Sequence, residues 1–150
     1  MSSDPVISEI HVEGLHDRHE LRVRLNRGLS ILYGKNGAGK TTLLHILGNL
    51  LFRDLERFLH IRFHRIAVIL DSSQRISLTQ LQSGHINRVL SISINDAPLA
   101  TIGKGHALPE HADASLRALL GPPPVYLPAF RSILDASERA SRARFPGDPT

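Results

Sequence analysis

The run Gly34-Lys35-Asn36-Gly37-Ala38-Gly39-Lys40-Thr41 carries the most specific chemical pattern in the chain. It meets the spacing G-x-x-x-x-G-K-[ST] at every defined position, between an apolar strand-like run and a helical one. Glycines at that spacing let the backbone curl so that successive N–H groups point into one hollow, with the positive end of the following helix behind them. Such a nest accepts an anion with several oxygens. Lys40 adds a point charge suited to the β and γ phosphates of a nucleoside triphosphate, and Asn36 stands where it can hydrogen-bond near the γ position. The Thr41 hydroxyl is a hard oxygen for a magnesium ion bridging the same phosphates. The expected ligand is ATP with magnesium. Gly34, Asn36, Gly37, Ala38, Gly39, Lys40, Thr41 and Thr42 are expected to hold it, with Thr41 as the protein's magnesium ligand.

Hydrolysis would further need a carboxylate on a neighbouring strand for the metal and a group to orient the attacking water. Ile66-Ala67-Val68-Ile69-Leu70-Asp71 is an apolar run ending in an acid, but Ser72 follows it where a catalytic Glu often stands. The alternation beyond it favours an antiparallel turn at Asp71-Ser72-Ser73 into Ile76 and Leu78. No catalytic residue is therefore assigned. Leu81-Gln82-Ser83-Gly84-His85 reads as a loop between two strands. His60 and His64 are spaced i, i+4 but lack the Glu of an H-E-x-x-H zinc motif. Arg131, delivered by the apolar run Val125 to Leu127, is either a nucleotide sensor or a surface Arg at a strand end.

The elements that must position the loop follow from periodicity. Val6, Ser8, Ile10 and Val12 alternate with polar neighbours, and after Gly14 the same period returns in Leu21, Val23 and Leu25, which predicts an antiparallel hairpin. Leu29 to Tyr33 is nearly continuous apolar sequence ending at Gly34, the pattern of a buried strand feeding the loop. Beyond Lys40, residues Leu43, Leu47, Leu50, Leu51, Leu55, Phe58 and Leu59 predict one long helix packed on the sheet. Three antiparallel strands are expected at 65–70, 76–78 and 89–94, with polar breaks between them. Pro109-Glu110 opens a short helix through Leu120, Gly121 closes it, and Pro122 to Pro124 forbid its continuation.

The length of 150 residues suits one core, or one lobe of something larger. Residues 1–135 are expected to form it, with the polar 136–150 as a loose or truncated tail. The net charge is +4, from 18 Lys and Arg against 14 acids. Those cations are mostly Arg and are dispersed, as Arg18, Arg53, Arg88, Arg117 and Arg142 illustrate, rather than gathered into a nucleic-acid-binding run. The absence of cysteine excludes disulfides and thiolate metal sites. The N-terminus lacks a signal-peptide pattern, and the longest apolar stretch, Leu43 to Phe52, is interrupted by His45, Gly48 and Asn49. No membrane span is expected, and the default compartment is the cytoplasm.

Taken together, Ile7 to Leu15, the second strand, and Leu29-Ser30-Ile31-Leu32-Tyr33 running directly into Gly34 to Leu44 resemble the start of an ABC-type ATPase head. The resemblance is to the SMC, RecF and OLD-like "AAA family ATPase" group. Val125-Tyr126-Leu127-Pro128-Ala129-Phe130-Arg131 also resembles a stretch in ATP-binding proteins of bacterial defence and repair systems. The resemblance implies an α/β P-loop NTPase fold, here an N-terminal lobe with an antiparallel β subdomain packed on the P-loop helix. It implies phosphate and magnesium roles for the Walker A residues Gly34, Asn36, Gly37, Gly39, Lys40, Thr41 and Thr42. The signature sequence, acidic strand and switch His of such heads are not found in this sequence. The implied partners are nucleotide, a second head or a completing C-terminal lobe, and DNA or a partner protein. Two other readings stay open: a small self-sufficient P-loop kinase or GTPase using Asp71, and a nucleotide-responsive binding module that does not hydrolyse.

Overall fold

A computed structural model describes residues 5–35, 39–83 and 87–123. The expected hairpin forms from β1 (Ile7–Leu15) and β2 (His19–Arg24), paired with Ile10 opposite Val23 and Val12 opposite Leu21. Its alternation sends Ile10 and Val12 into the core. Gly14 sits at φ 65 where the register shifts, and a Cβ there would meet the His64 ring at 2.4 Å, so both conformation and space require glycine.

On the far side β1 pairs with β3 (Arg65–Leu70), followed by β4 (Arg75–Ser83), β5 (Asn87–Ile94) and β6 (Ala97–Gly103). The sheet order is β2-β1-β3-β4-β5-β6, antiparallel throughout. β6 was not predicted. It carries one fully buried side chain, Ile102, and so shows little alternation. Its turn, Asn95-Asp96, lies at positive φ on both residues, as a tight right-twisted hairpin demands. β4 also extends through Leu81, Gln82 and Ser83, the first three residues of the expected 81–85 loop.

The core is closed by helical segments. α1 (Lys40–Leu51) buries Leu43, Ile46 and Leu50, and α2 (Glu110–Leu120) buries Ala112, Leu116 and Leu120. The predicted boundaries of α2 hold: Pro109 precedes its first residue, and Gly121 at φ 76 ends it. The single long helix after Lys40 does not form. α1 stops at Leu51, Arg53 turns to φ 56, and a separate 3-10 helix runs over Leu55–His60. The Arg53 side chain, only 11% exposed, donates Nε–H to Asp113 Oδ1 of α2 at 2.8 Å, and the tighter spacing past it sends Leu55 and Phe58 into the core. There Phe58 meets Phe63 edge to face with centroids 6.2 Å apart.

A second departure concerns 29–33, predicted as a buried strand. These residues join no sheet among the described residues, and Leu29, Ile31 and Tyr33 are 74%, 75% and 91% exposed. A strand requires a neighbour to take its backbone groups, and among the described residues 29–33 is paired with neither of the sheet's edge strands, β2 and β6. The chain leaves β2 through a turn in which the Asn26 amide donates to Ser30 Oγ at 2.8 Å, and of this segment Leu32 packs against the core. No helix among the described residues is long and apolar enough to cross a membrane.

Candidate phosphate-binding loop

Both ends of the glycine-rich loop are described, while Asn36, Gly37 and Ala38 lie outside the described residues. At its far end Gly39 takes φ 92, ψ 11 and forms the N-cap of α1 without a side-chain cap. Its carbonyl accepts the Leu43 amide at 2.8 Å, the first helical bond. A Cβ on Gly39 would lie 3.1 Å from Leu21 Cδ1, so glycine serves twice: it permits the left-handed turn into the helix and lets α1 start close against β2. Sequence reasoning found Gly39 but not Leu21, whose contact depends on how the hairpin folds back.

The first-turn amides of a helix have no intrahelical acceptor and carry its positive end. The first turn of α1 contains no acidic side chain to occupy that field. Lys40 lies in this turn and donates from Nζ to the Gly34 carbonyl, so its ammonium reaches back across the mouth of the loop to the residue where the loop begins. Thr41 is exposed on the same turn and Thr42 half-buried. Gly34, Gly39, Lys40, Thr41 and Thr42 are thus gathered at one helix start, which can neutralise an anion with a mobile cation, backbone amides and a hydroxyl.

Asp71 is placed differently. β3 pairs antiparallel with β4, with Val68 opposite Ile76 and Ile66 opposite Leu78. Because β1 occupies the other edge of β3, β3 cannot lie as a parallel strand beside 29–33. The self-sufficient kinase or GTPase reading, which needed that arrangement, falls. Asp71 instead ties the turn to the chain ahead of the loop: Arg27 Nη2 donates to its Oδ2 at 2.7 Å, and the Val6 amide to its Oδ1 at 3.3 Å. The Arg27 bond, aided by that amide, holds the carboxyl below the usual Asp range.

The other candidates stay apart from the loop. His60 ends the 3-10 helix, whereas the His64 side chain is 71% exposed beside Asp17. Among the described residues no group of three or more His, Cys, Asp or Glu could hold a metal. Arg131 lies outside the described residues. A cavity of about 500 Å³ lined by His60, Arg88, Lys104 and His106 shares no residue with the loop.

Among known proteins, a family model described as an AAA domain matches residues 9–97, more than half of the chain and inclusive of the whole loop. Septu protein PtuA of Bacillus thuringiensis is 38% identical over 45 residues, which cover 30% of this chain. The match spans 11% of that relative's length.

Proposed function

We propose, for a chain that belongs to the AAA domain family of P-loop ATPases, that residues 34–42 bind ATP with magnesium as the nucleotide lobe of an ATPase. The observation that carries this reading is the conjunction at the start of α1, where a left-handed Gly39 opens the helix and Lys40 bends back to Gly34. In the bound state the Lys40 ammonium leaves a neutral carbonyl for the β and γ phosphates, an exchange favoured by charge. The amides around Gly39 and Lys40 donate to phosphate oxygens, and Gly39 keeps side-chain bulk away from that approach. Thr41 fits magnesium by chemistry and place: an exposed hydroxyl oxygen on the same turn, one protein ligand for an ion that otherwise keeps phosphate and water. When bound, the ion neutralises charge on the two phosphates that Lys40 faces.

The resemblance to ABC-type heads of the SMC, RecF and OLD-like group supports a finer proposal. Nucleotide would close this lobe against a second head or a completing lobe, and the closed state would be coupled to DNA or a partner protein in repair or phage defence. The commitment of Asp71 to Arg27 and Val6 favours a second reading, binding without hydrolysis by this lobe alone. Calorimetry with Mg-ATP tests the common core of both. Lys40→Ala should weaken binding about tenfold or more, the value of one charged hydrogen bond. Equal affinity in the variant and the parent rejects the reading. Single-turnover assays at high protein concentration separate the two, since conversion of bound ATP to ADP and phosphate excludes a passive binder.

A further inference from the structure

Arg88 and Lys104 meet no carboxylate among the described residues, and both line one cavity of about 500 Å³ together with His60, Asn87 and His106. Arginines elsewhere on the sheet are neutralised, as Arg62 is by Asp17 at 2.9 Å and Arg65 by Asp96 at 3.9 Å. No Asp or Glu stands among the described residues that line the cavity. A guanidinium, an ammonium, an amide and two imidazoles thus share one hollow with no negative group to balance them, which favours an anion rich in acceptor oxygens. Arg88 is half-buried and donates from Nη1 to the Leu59 carbonyl at 3.4 Å, a bond that holds the guanidinium in place and leaves its other N–H donors without a described partner. We propose that this cavity binds the phosphate group of a small, metal-free ligand, at a site separate from the glycine-rich loop.

Backbone bonds fix the walls. Val89 pairs with Gly103, which sets the start of β5 against the end of β6. Past β6 the chain doubles back, with the His106 amide donating to the Gly103 carbonyl at 3.1 Å and Gly105 at φ 77. The Gly105 amide donates to Glu56 Oε1 at 2.8 Å, so the turn that carries Lys104 is pinned to the 3-10 helix that ends at His60. Cations dispersed along the sequence are gathered here by the fold. A volume of about 500 Å³ lies within the range of roughly 300–1,000 Å³ typical of small-ligand pockets and leaves room for the group that carries the phosphate. Charge decides against a nucleic-acid track, which needs a row of unpaired cations to replace successive counterions. The adjoining cavity shares Arg88, but Asp17 lines it beside Arg62 and His64, so the positive field stays local. Magnesium-bound triphosphate suits the loop instead, because the ion cancels the charge on which this cavity depends and no described cluster of acids or histidines could hold it. The site shares no residue with the loop and does not depend on what the loop binds.

An amide-resolved NMR titration of the full chain with inorganic phosphate, at constant ionic strength and without magnesium, tests the site in the parent, Lys104→Gln and Lys40→Ala. Lys104 is exposed and its side chain bonds no described residue, so its replacement leaves the fold intact. Saturating shifts should appear on the amides of Arg88, Gly103, Lys104 and His106, with affinity about tenfold weaker in Lys104→Gln, the value of one charged hydrogen bond, and unaltered in Lys40→Ala. Shifts that fail to saturate, shifts confined to residues 34–42, or equal affinity in the parent and Lys104→Gln overturn the proposal. Competition against the bound phosphate separates the sources of the group. A nucleoside monophosphate should displace it at least as well as a short single-stranded oligonucleotide does. An oligonucleotide that competes more than about tenfold better, and loses that advantage steeply as salt rises, reveals a nucleic-acid track and overturns the small-ligand assignment.

Discussion

Replacing Gly39 with alanine should damage both the fold and the loop, in amounts that follow from two geometric facts. The residue sits at φ 92, well into the left-handed region, where an L side chain costs about 1–2 kcal/mol. Its new Cβ would also lie 3.1 Å from Leu21 Cδ1, a contact that Leu21 can relieve by a small shift for about 0.5 kcal/mol. Against this, alanine reduces the freedom of the unfolded chain and returns about 0.5 kcal/mol. The net expected loss is about 1–2 kcal/mol, or about 3–6 °C in melting temperature for a chain of this size. If α1 relaxes by shifting its first turn, Lys40 moves with it, and Mg-ATP affinity should fall about tenfold, the equivalent of 1.4 kcal/mol. Thermal melts followed by circular dichroism, with calorimetry on the same samples, read both effects. Adding Leu21→Ala to Gly39→Ala should recover the contact part and leave the backbone strain, so the pair costs less than the sum of the single changes. A Gly39→Ala chain that melts within 1 °C of the parent, by the same scaling, and binds Mg-ATP equally would refute the reasoning.

Arg53→Ala removes the link from the end of α1 to α2 and should destabilise by about 2 kcal/mol, because Arg53 is largely buried while Asp113 keeps Arg117 as a partner; urea unfolding measures it. Leu116→Ala empties a fully buried position on α2 and should cost about 2–5 kcal/mol in the same assay. Asp71 and Glu9 both have folded-state acidities shifted below their ordinary values of 3.8 and 4.5, chiefly by hydrogen bonds from Arg27 and Arg22 respectively. Depressed carboxylates stabilise the fold above those values, and the contribution is lost as pH falls from about 4.5 through the folded-state values. Acid unfolding should therefore be less steep in Asp71→Asn combined with Glu9→Gln, and the difference should shrink in high salt, since both pairs are exposed.

Local rules explain which parts were legible in the sequence. The start of α1 after Gly39, the first hairpin and the limits of α2 each depend on residues close together, such as Gly39 before Lys40, or Pro109 and Gly121 around α2. The failures are non-local. The break after Leu51 is accompanied by the Arg53 bond to Asp113, sixty positions further along, and no periodicity within 40–60 contains that contact. Leu29 to Tyr33 has the composition of a buried strand, but burial requires a neighbour that composition does not supply. β6 was missed because Ile102 alone of its side chains is fully buried. At the candidate site, the spacing singles out Gly34, Gly39, Lys40, Thr41 and Thr42, and the last four stand together at the start of α1. The packing of Leu21 under Gly39 and the Arg27 bond to Asp71 emerge from the folded hairpin alone.

An amide-resolved NMR titration of the full chain with Mg-ATP tests most directly whether the backbone at the start of α1 receives phosphate. The largest shifts should fall on the amides of Gly34, Gly39, Lys40 and Thr41, they should saturate, and Lys40→Ala should move the titration midpoint up about tenfold or more. Shifts centred instead on His60, Arg88, Lys104 and His106, or a response at the loop unaltered by Lys40→Ala, would contradict the account.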